Sequence, residues 1–254
     1  MPLTRAIVRP PGETFAQGLT TSGLGKPSFT LAQAQHARYC EVLEQCGLTL
    51  TRLPADESYP DSTFVEDTAI LTGRGSIVCR PGAESRRGEV VSIRAALPSI
   101  MGEIEAPGTV DGGDVCDAGD RFLIGLSSRT NDIGARQLAA ILSGLGYESL
   151  VLDLRDHPQL LHLKSGLAAL DDGRLIAVAA LGGYAGLRRR EIIPVGSDEA
   201  YAANCICVNG RVLIASGFPN LERSLIELDY DVVTLEMSEF QKMDGGLSCL
   251  SLRS

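Results

Sequence analysis

Pairs of short apolar runs, each pair separated by a tight polar turn, recur along the 254-residue chain. Such pairs predict β-hairpins, because polar turn residues let the chain reverse between two apolar runs. The clearest turn is Asn209-Gly210, since this dipeptide favours the two-residue hairpin loop. The predicted hairpins have strands at 68–72 and 76–79, 115–117 and 122–126, 167–170 and 175–180, and 205–208 and 212–215.

Helical patterns follow most of the hairpins, with apolar residues at helical spacing along one face. Thr30 and Gln33 have the spacing of a capping box at the start of the first helix. The predicted helices cover 30–46, 88–97, 131–145 and 220–229. Each leads into a further extended run, at 48–53, 103–106, 150–154 and 232–235.

The chain therefore repeats a unit of strand, turn, strand, helix and strand at intervals of roughly 40–50 residues, a period typical of arrays and propellers. No linker interrupts the series, so we expect one α/β domain over residues 1–254, with the units as blades of a closed ring. The alternative is a plain α+β domain whose regularity is accidental. Residues 11–27, rich in glycine and proline, predict a loop that is either a surface excursion or a lid over a site.

Charge and composition exclude several classes of protein. The formal net charge of -9 argues against a nucleic-acid partner, which needs basic surface. The amino-terminal residues resemble no signal peptide and no stretch is apolar enough to span a bilayer, so we expect a cytoplasmic protein that does not enter the membrane. Seven scattered cysteines argue against a disulfide framework. Cys205 and Cys207 are expected to be buried strand residues rather than metal ligands.

Few residues could perform acid–base or nucleophilic chemistry. Among the three histidines, His36 is expected on a solvated helix surface and His157 in a loop. His162, surrounded by apolar residues at a strand entrance, is either a buried structural histidine or a general base. Cys249 follows two glycines that permit a sharp turn, so it is either a nucleophile facing a central cavity or an inert core cysteine.

Carboxylates and arginines supply the remaining candidates. Three acids lie at 61–67 and two at 111–114, beside apolar residues or glycines at strand starts. Buried carboxylates need partners, and a planar guanidinium matches their oxygens well. Arg86 or Arg87, and Arg129 before a helix start, could bind an α-carboxylate. The run 188–190 is expected to be an exposed charge cluster.

These segments together resemble the dimethylarginine dimethylaminohydrolases, within the superfamily that includes arginine deiminases and amidinotransferases. The resemblance spans nearly the whole chain. The matching segments are GLTTSGLGKP (18–27), PDSTFVEDTA (60–69), RPGAESRRGE (80–89), APGTVDGGDV (106–115), SSRTN (127–131), HLKSGL (162–167) and DGGLSCLSL (244–252). The segment AYAANCI (200–206) matches imperfectly, because Asp198, Glu199 and Ala200 precede Tyr201.

The resemblance implies a five-bladed α/β propeller, the pentein fold, built from ββαβ units around a central active site. It implies Cys249, His162 and Asp111 as a catalytic triad, where the family accepts either acid at position 111. The substrate-binding residues it implies are Leu19, Asp61, Glu66, Asp67, Arg86, Arg129, Met243 and Asp244. Asp67, with Asp61 and Glu66, would hold the guanidinium. The two arginines would bind the α-carboxylate. Leu19 and Met243 would contact the amino-acid end through backbone groups.

The implied activity is hydrolysis of Nω-methylated arginine to citrulline through a covalent cysteine intermediate, with no metal and no organic cofactor. The expected partner is a small-molecule substrate, and a homodimer is expected by resemblance. Two alternatives stay open. One is an arginine deiminase acting on unmethylated arginine, although such enzymes usually carry a helical insertion for which this chain has no room. The other is a non-enzymatic propeller that binds a macromolecule.

Overall fold

Five three-stranded sheets form the framework of the protein in a computed structural model that describes residues 2–187 and 189–254. The strands are β1 (Arg5–Val8), β2 (Thr49–Arg52), β3 (Ala69–Thr72), β4 (Gly75–Val78), β5 (Ile100–Glu103), β6 (Val115–Asp117), β7 (Arg121–Leu126), β8 (Glu148–Asp153), β9 (Leu167–Ala169), β10 (Leu175–Val178), β11 (Ile192–Val195), β12 (Ile206–Val208), β13 (Arg211–Ala215), β14 (Asp231–Leu235) and β15 (Leu252–Arg253). The sheet orders are β3-β4-β5, β6-β7-β8, β9-β10-β11, β12-β13-β14 and β15-β1-β2.

Each sheet has the same pairing pattern. Its central strand is antiparallel to the first strand and parallel to the third. A parallel neighbour needs a long crossover. In four sheets a helix provides it, which confirms the predicted ββαβ unit. The helices are α1 (Phe29–Gln45), α2 (Glu89–Arg94), α3 (Asp132–Gly144), α4 (Pro219–Glu227) and α5 (Ser238–Gln241), of which α5 follows β14 and was not predicted.

The β10–β11 crossover departs from the repeat. Within its described residues it contains a 3₁₀ helix, Ala179–Leu181, and turns in place of an α-helix. Glycines at 182, 183 and 186 explain the difference, because glycine disfavours helix interiors. The arginine run 188–190, predicted to be an exposed charge cluster, lies near the end of this crossover. Arg188 lies outside the described residues, Arg189 is exposed, and Arg190 is half-buried with an ion pair to Asp120.

Helix α1 corrects two predictions. Its cap is Ser28, whose hydroxyl accepts a hydrogen bond from the Leu31 N–H at 3.4 Å, rather than Thr30. His36 is buried rather than solvated, and its Nδ1 lies 3.7 Å from the Cys40 sulfur. His36 and Cys40 are four residues apart and therefore share the helix face that packs on the core.

The first strands of the sheets, β3, β6, β9, β12 and β15, surround a common axis, and we call them the inner strands. All five contribute to the wall of one axial tunnel of about 410 Å³, among them Ile70, Val115, Ala168, Ile206 and Leu252. The third strands are mostly exposed at the rim. The protein is therefore a five-bladed α/β propeller, as the resemblance implied. The ring closes in the β15-β1-β2 sheet, where distant parts of the chain pair.

Packing beneath one end of the axis fixes the segments around it. Phe15, Phe64 and Phe240 form a buried aromatic group with ring centroids 5.5–6.2 Å apart. This group joins the start of the 11–27 loop to α5 and to the segment before β3. Cys205 is buried directly before β12, and Cys207 is half-buried on β12, so the prediction of two buried strand cysteines is confirmed only in part. None of the helices described is long and apolar enough to cross a membrane.

Candidate active site

Five short 3₁₀ helices lead into the inner strands, and we call them the axial 3₁₀ helices. They are Val65–Thr68, Gly112–Asp114, Leu163–Ser165, Ser197–Ala203 and Ser248–Leu250. Because each precedes an inner strand, all five meet at the same end of the axis. Cys249 is thus in a 3₁₀ helix, three residues before the short strand β15.

A small cavity of about 30 Å³ lies at this end of the axis. Ten of the eleven residues predicted for the site contribute to its wall. The lining residues are Leu19, Asp61, Phe64, Asp67, Arg86, Asp111, Arg129, Leu161, His162, Met243, Asp244, Gly245 and Cys249. Residues separated by as many as 230 positions are thereby brought into one enclosure.

Cys249 is buried, and two N–H groups point at its sulfur. The Gly246 backbone N–H donates to Sγ at 3.5 Å, and the Asn204 amide nitrogen lies 3.8 Å from it. Burial, followed by the charges of Glu66 and Asp67, raises the pKa of Cys249 to about 12. In the empty site the sulfur is therefore a thiol at neutral pH, and an additional positive charge is needed to favour the thiolate.

His162 is paired with Asp111, as the triad requires. The His162 Nε2 and Asp111 Oδ2 atoms are 3.1 Å apart, and the other carboxylate oxygen of Asp111 accepts the Gly82 N–H at 2.7 Å. Burial acts to lower the pKa of His162, but the carboxylates of Asp67, Asp114 and Asp111 outweigh it and raise that pKa to about 9. The imidazole is therefore protonated at neutral pH, with Nε2 donating to Asp111.

Asp67 is a buried carboxylate kept ionised by its neighbours. It accepts hydrogen bonds from the Gly113 N–H at 2.9 Å and from Arg86 Nη1 at 2.5 Å. Burial opposes its ionisation, but the nearby charges of His162 and Arg86 hold its pKa at about 2. A fixed negative charge therefore faces the cavity beside Cys249.

Arg86 is engaged chiefly within the protein. Its Nε and Nη2 atoms form a two-pronged pair with Glu89 at 2.9 and 2.8 Å, and Nη2 also donates to the carbonyls of Asp61 and Phe64. Burial raises the pKa of Glu89 to about 7 even though Arg86 opposes this. Of the five guanidinium N–H groups, one on Nη1 remains for a ligand.

Arg129 differs from Arg86 in having an unengaged guanidinium. Only its backbone N–H takes part in a hydrogen bond, to Ser127 Oγ at 3.0 Å, and no ion pair of the described residues includes it. Its charge nonetheless acts on Asp61, which lines the same cavity. Arg129 is therefore free to bind an anionic group.

The predicted loop lies over the cavity. The Leu19 N–H donates to both Asp61 carboxylate oxygens at 3.0 and 3.2 Å, and the Thr21 N–H to Asp244 Oδ2 at 2.5 Å. The hydroxyls of Thr20 and Ser22 bind the Lys242 carbonyl at 2.8 and 2.7 Å. The remaining cavity has room for about one water molecule. Hydrogen bonds from residues 19–22 therefore hold the loop at this end of the axis.

Glu66 does not line the cavity, although it was predicted to hold the guanidinium. It lies on the tunnel side, where its carboxylate binds Lys164 Nζ at 2.6 Å and the Ser248 hydroxyl at 2.8 Å. Glu66, Lys164 and Ser248 form the floor that separates cavity and tunnel. Lys164 and Ser248 were not singled out from the sequence, and nothing in their local pattern distinguishes them from surface residues.

One group of the described residues has the spacing of metal ligands, with ligand atoms within 4.8 Å of one another: Asp67, Asp111 and His162. Metal ligation requires a neutral imidazole. The raised pKa of His162 and the Arg86 ion pair on Asp67 both oppose it. These residues are better suited to binding an organic cation.

The fold and these side chains define a class of protein: a pentein-type propeller with a cysteine, a histidine–aspartate pair and ionised carboxylates around one axial cavity. No known family model matches the sequence. An N(G),N(G)-dimethylarginine dimethylaminohydrolase of Pseudomonas aeruginosa is 44% identical over 251 residues, covering 97% of this chain and 98% of the relative. The one from Streptomyces coelicolor is 36% identical over 259 residues, covering 100% and 98%.

A solved structure agrees with these relatives. A dimethylarginine dimethylaminohydrolase from Pseudomonas aeruginosa, as a C249S mutant complexed with citrulline, superposes with a TM-score of 0.96 at 43% identity and covers all of both chains. The chain belongs to the dimethylarginine dimethylaminohydrolase family.

Proposed function

We propose that the protein hydrolyses Nω-methylated L-arginines, yielding L-citrulline and methylamine or dimethylamine. The observation that carries this proposal is the shared cavity of Cys249, His162 and the ionised Asp67. A carboxylate beside a thiol suits a cationic substrate, because the substrate's charge is attracted to the first and favours ionisation of the second. The family membership agrees with this chemistry.

In the proposed complex, each charged group of the substrate faces a group of opposite charge in the cavity. Asp67 and Asp61 are proposed to accept N–H bonds from the guanidinium and to hold its plane toward Cys249. Arg129 would bind the α-carboxylate, assisted by the single free N–H of Arg86. Backbone groups of Leu19 and Met243, with the Asp244 carboxylate, would hold the α-amino end. We assign Glu66 to the floor beneath Ser248 instead of to direct contact with the guanidinium.

The first half-reaction transfers the amidine carbon to sulfur. When the cationic substrate binds, Cys249 Sγ loses its proton to water. The thiolate then attacks the guanidinium carbon, so that an S–C bond forms while the carbon–nitrogen π bond breaks onto nitrogen. The C–N bond to the methylated nitrogen then breaks, with its electron pair leaving on nitrogen. His162, protonated and oriented by Asp111, donates a proton to the departing amine. An S-alkylthiouronium remains on Cys249.

The second half-reaction regenerates the thiol. The now neutral His162 removes a proton from a water molecule, whose oxygen attacks the thiouronium carbon. The C–S bond breaks and its electrons return to sulfur. The remaining hydroxyl proton passes through water to that sulfur, and the carbon–oxygen bond becomes the ureido carbonyl of citrulline. Every proton and electron pair is accounted for by the protein's own residues, the substrate and water.

Substitution of the thiol tests the function. Cys249→Ala should abolish citrulline formation from dimethylarginine and monomethylarginine while leaving the circular dichroism spectrum unchanged. Cys207→Ala, a half-buried cysteine on the inner strand β12, is the matched control and should remain active. Citrulline formation by Cys249→Ala would contradict the proposal, and a preference for unmethylated arginine would indicate a deiminase instead.

The histidine is tested by separating alkylation from turnover. His162→Asn should stop turnover but leave Cys249 open to alkylation by a small thiol reagent. Equal loss of both would indicate that His162 is structural. A homodimer is proposed from the resemblance, and gel filtration with light scattering tests it. A cytoplasmic location stays a prediction from the sequence.

A further inference from the structure

Four of the five axial 3₁₀ helices carry, within the helix or directly before it, a side chain that is already part of the proposed chemistry. Asp67, Asp111, His162 and Cys249 lie in or directly before four of the axial 3₁₀ helices. The fifth, Ser197–Ala203, is followed directly by Asn204, which lies two residues before β12. We propose that Asn204 is a further catalytic residue, whose side-chain amide donates a hydrogen bond that stabilises the Cys249 thiolate.

The contacts of Asn204 fix the orientation of its amide. Its Oδ1 accepts the Ser248 backbone N–H at 2.9 Å. A backbone N–H can only donate, so the atom facing it must be the oxygen, and the amide nitrogen must face the Cys249 sulfur at 3.8 Å. Asn204 is 7% exposed and therefore has little freedom to turn away. One side chain thus holds the backbone next to the nucleophile and donates to the nucleophile itself.

A second donor completes the arrangement. The Gly246 N–H points at the same sulfur at 3.5 Å. A Cβ on residue 246 would lie 2.4 Å from the Asn204 side chain, so glycine is needed for the two donors to converge. The Ser248 hydroxyl, 4.0 Å from the sulfur, is instead committed to Glu66. Gly246 and Asn204 are therefore the protein groups that can donate to the thiolate.

The charges around Cys249 explain why its thiolate needs these hydrogen-bond donors. Glu66 and Asp67 both oppose a negative charge on Cys249. Hydrogen bonds to a charged group are stronger than neutral ones, so two N–H donors favour the thiolate over the thiol. Asn204 is not part of the cavity wall. It should therefore act on the reactivity of sulfur and leave substrate binding unaffected.

The test is Asn204→Asp, which keeps the oxygen facing Ser248 and replaces the donor with a negative charge. The inference rests on the proposed role of Cys249 as nucleophile. The second-order rate of Cys249 alkylation by uncharged iodoacetamide is measured across the alkaline pH range, by mass spectrometry of the peptide that contains Cys249. We expect a decrease of about 10- to 100-fold at a given pH, a matching decrease in kcat, and an unchanged KM.

The matched control is Asn209→Asp on the β12–β13 turn. Asn209 also accepts a backbone N–H, from Leu3 at 2.8 Å, and donates elsewhere, to the Leu3 and Cys46 carbonyls. Its replacement should leave alkylation unchanged. An unaltered alkylation profile in Asn204→Asp would overturn the inference.

If Asn204→Asp does not fold, Asn204→Ser is measured in its place. Serine is uncharged but too short to bridge both partners, so alkylation should again slow, and wild-type alkylation would count against the inference. These outcomes are independent of citrulline formation by Cys249→Ala. Failure of the inference is therefore distinguishable from failure of the proposed function.

Discussion

Two arginines reach the cavity, but their side chains are engaged differently. Arg86 is buried and paired with Asp67 and Glu89, whereas the Arg129 guanidinium forms no ion pair among the described residues. Sequence reasoning gave both the same role, because a motif shows that an arginine is present but not which of its N–H groups are already used. The structure makes Arg86 a support for Asp67 and Arg129 the freer ligand for an anion.

This difference predicts separate effects of substitution. Arg129→Ala should raise KM by about 10- to 100-fold through loss of a charge-assisted hydrogen bond, with little change in Tm. Arg86→Ala should also reduce the free energy of unfolding, by about 3–5 kcal/mol, because it leaves buried carboxylates unpaired. Steady-state kinetics and thermal melting of both variants provide the check. A stable Arg86→Ala protein would show that Glu89 and Asp67 do not depend on the pair.

At the scale of elements, periodicity located α1, α3 and α4 within one or two residues. It failed where the physical signal is absent. Helix α2 is six residues long and was predicted too long, and β5 lies about three residues earlier than expected. The assignment of His36 to a solvated face was wrong because it relied on the polarity of histidine. Packing decides its position, on the same buried face of α1 as Tyr39 and Cys40.

Burial of His36 within α1 makes stability dependent on pH. Burial, with a smaller contribution from Arg52, lowers its pKa to about 4, against 6.5 in the unfolded chain. Between these values the unfolded state binds more protons, so the free energy of unfolding falls as pH drops from 6.5 to 4. The shift corresponds to about 3 kcal/mol.

Urea unfolding of wild type and His36→Gln across this pH window tests the effect. The difference between the two proteins in free energy of unfolding should decline toward low pH, because only the wild type must take up the proton. His157→Gln, a half-buried loop histidine, is the control and should follow the wild-type curve. Parallel curves for wild type and His36→Gln would contradict the assignment.

At the scale of the whole molecule, five different blades supply the residues of the proposed chemistry: Asp67, Asp111, His162, Cys249 and the proposed Asn204. The repeat could be predicted from hairpin and helix patterns, and the resemblance supplied Cys249, His162 and Asp111. Contacts between blades could not be predicted, because they depend on ring closure rather than on sequence spacing. Asn204 was missed for this reason. Its sequence signals are a position two residues before an inner strand, with the recognised residues at similar distances, and its place in the imperfectly matching segment 200–206.

Ring closure has a consequence for how the enzyme fails. The β1–β15 pairing that shuts the ring has two residue pairs, Ala6 with Arg253 and Ile7 with Leu252, and further bonds join Thr4 and Arg5 to Ser254. This short pairing begins three residues after Cys249. Its opening would therefore displace the thiol while the four other sheets stay paired. Short, locally bonded segments open at lower free-energy cost than a core.

Activity should therefore disappear at lower urea concentration than the far-ultraviolet circular dichroism signal. Ile7→Ala, which weakens the β1–β15 pairing, should widen the gap between the two transitions. Leu225→Ala, on the buried face of α4, should move both transitions together. Coincident transitions in every variant would show that the ring opens only as a whole. Loss of activity at Cys249 would therefore report opening of the β1–β15 pairing.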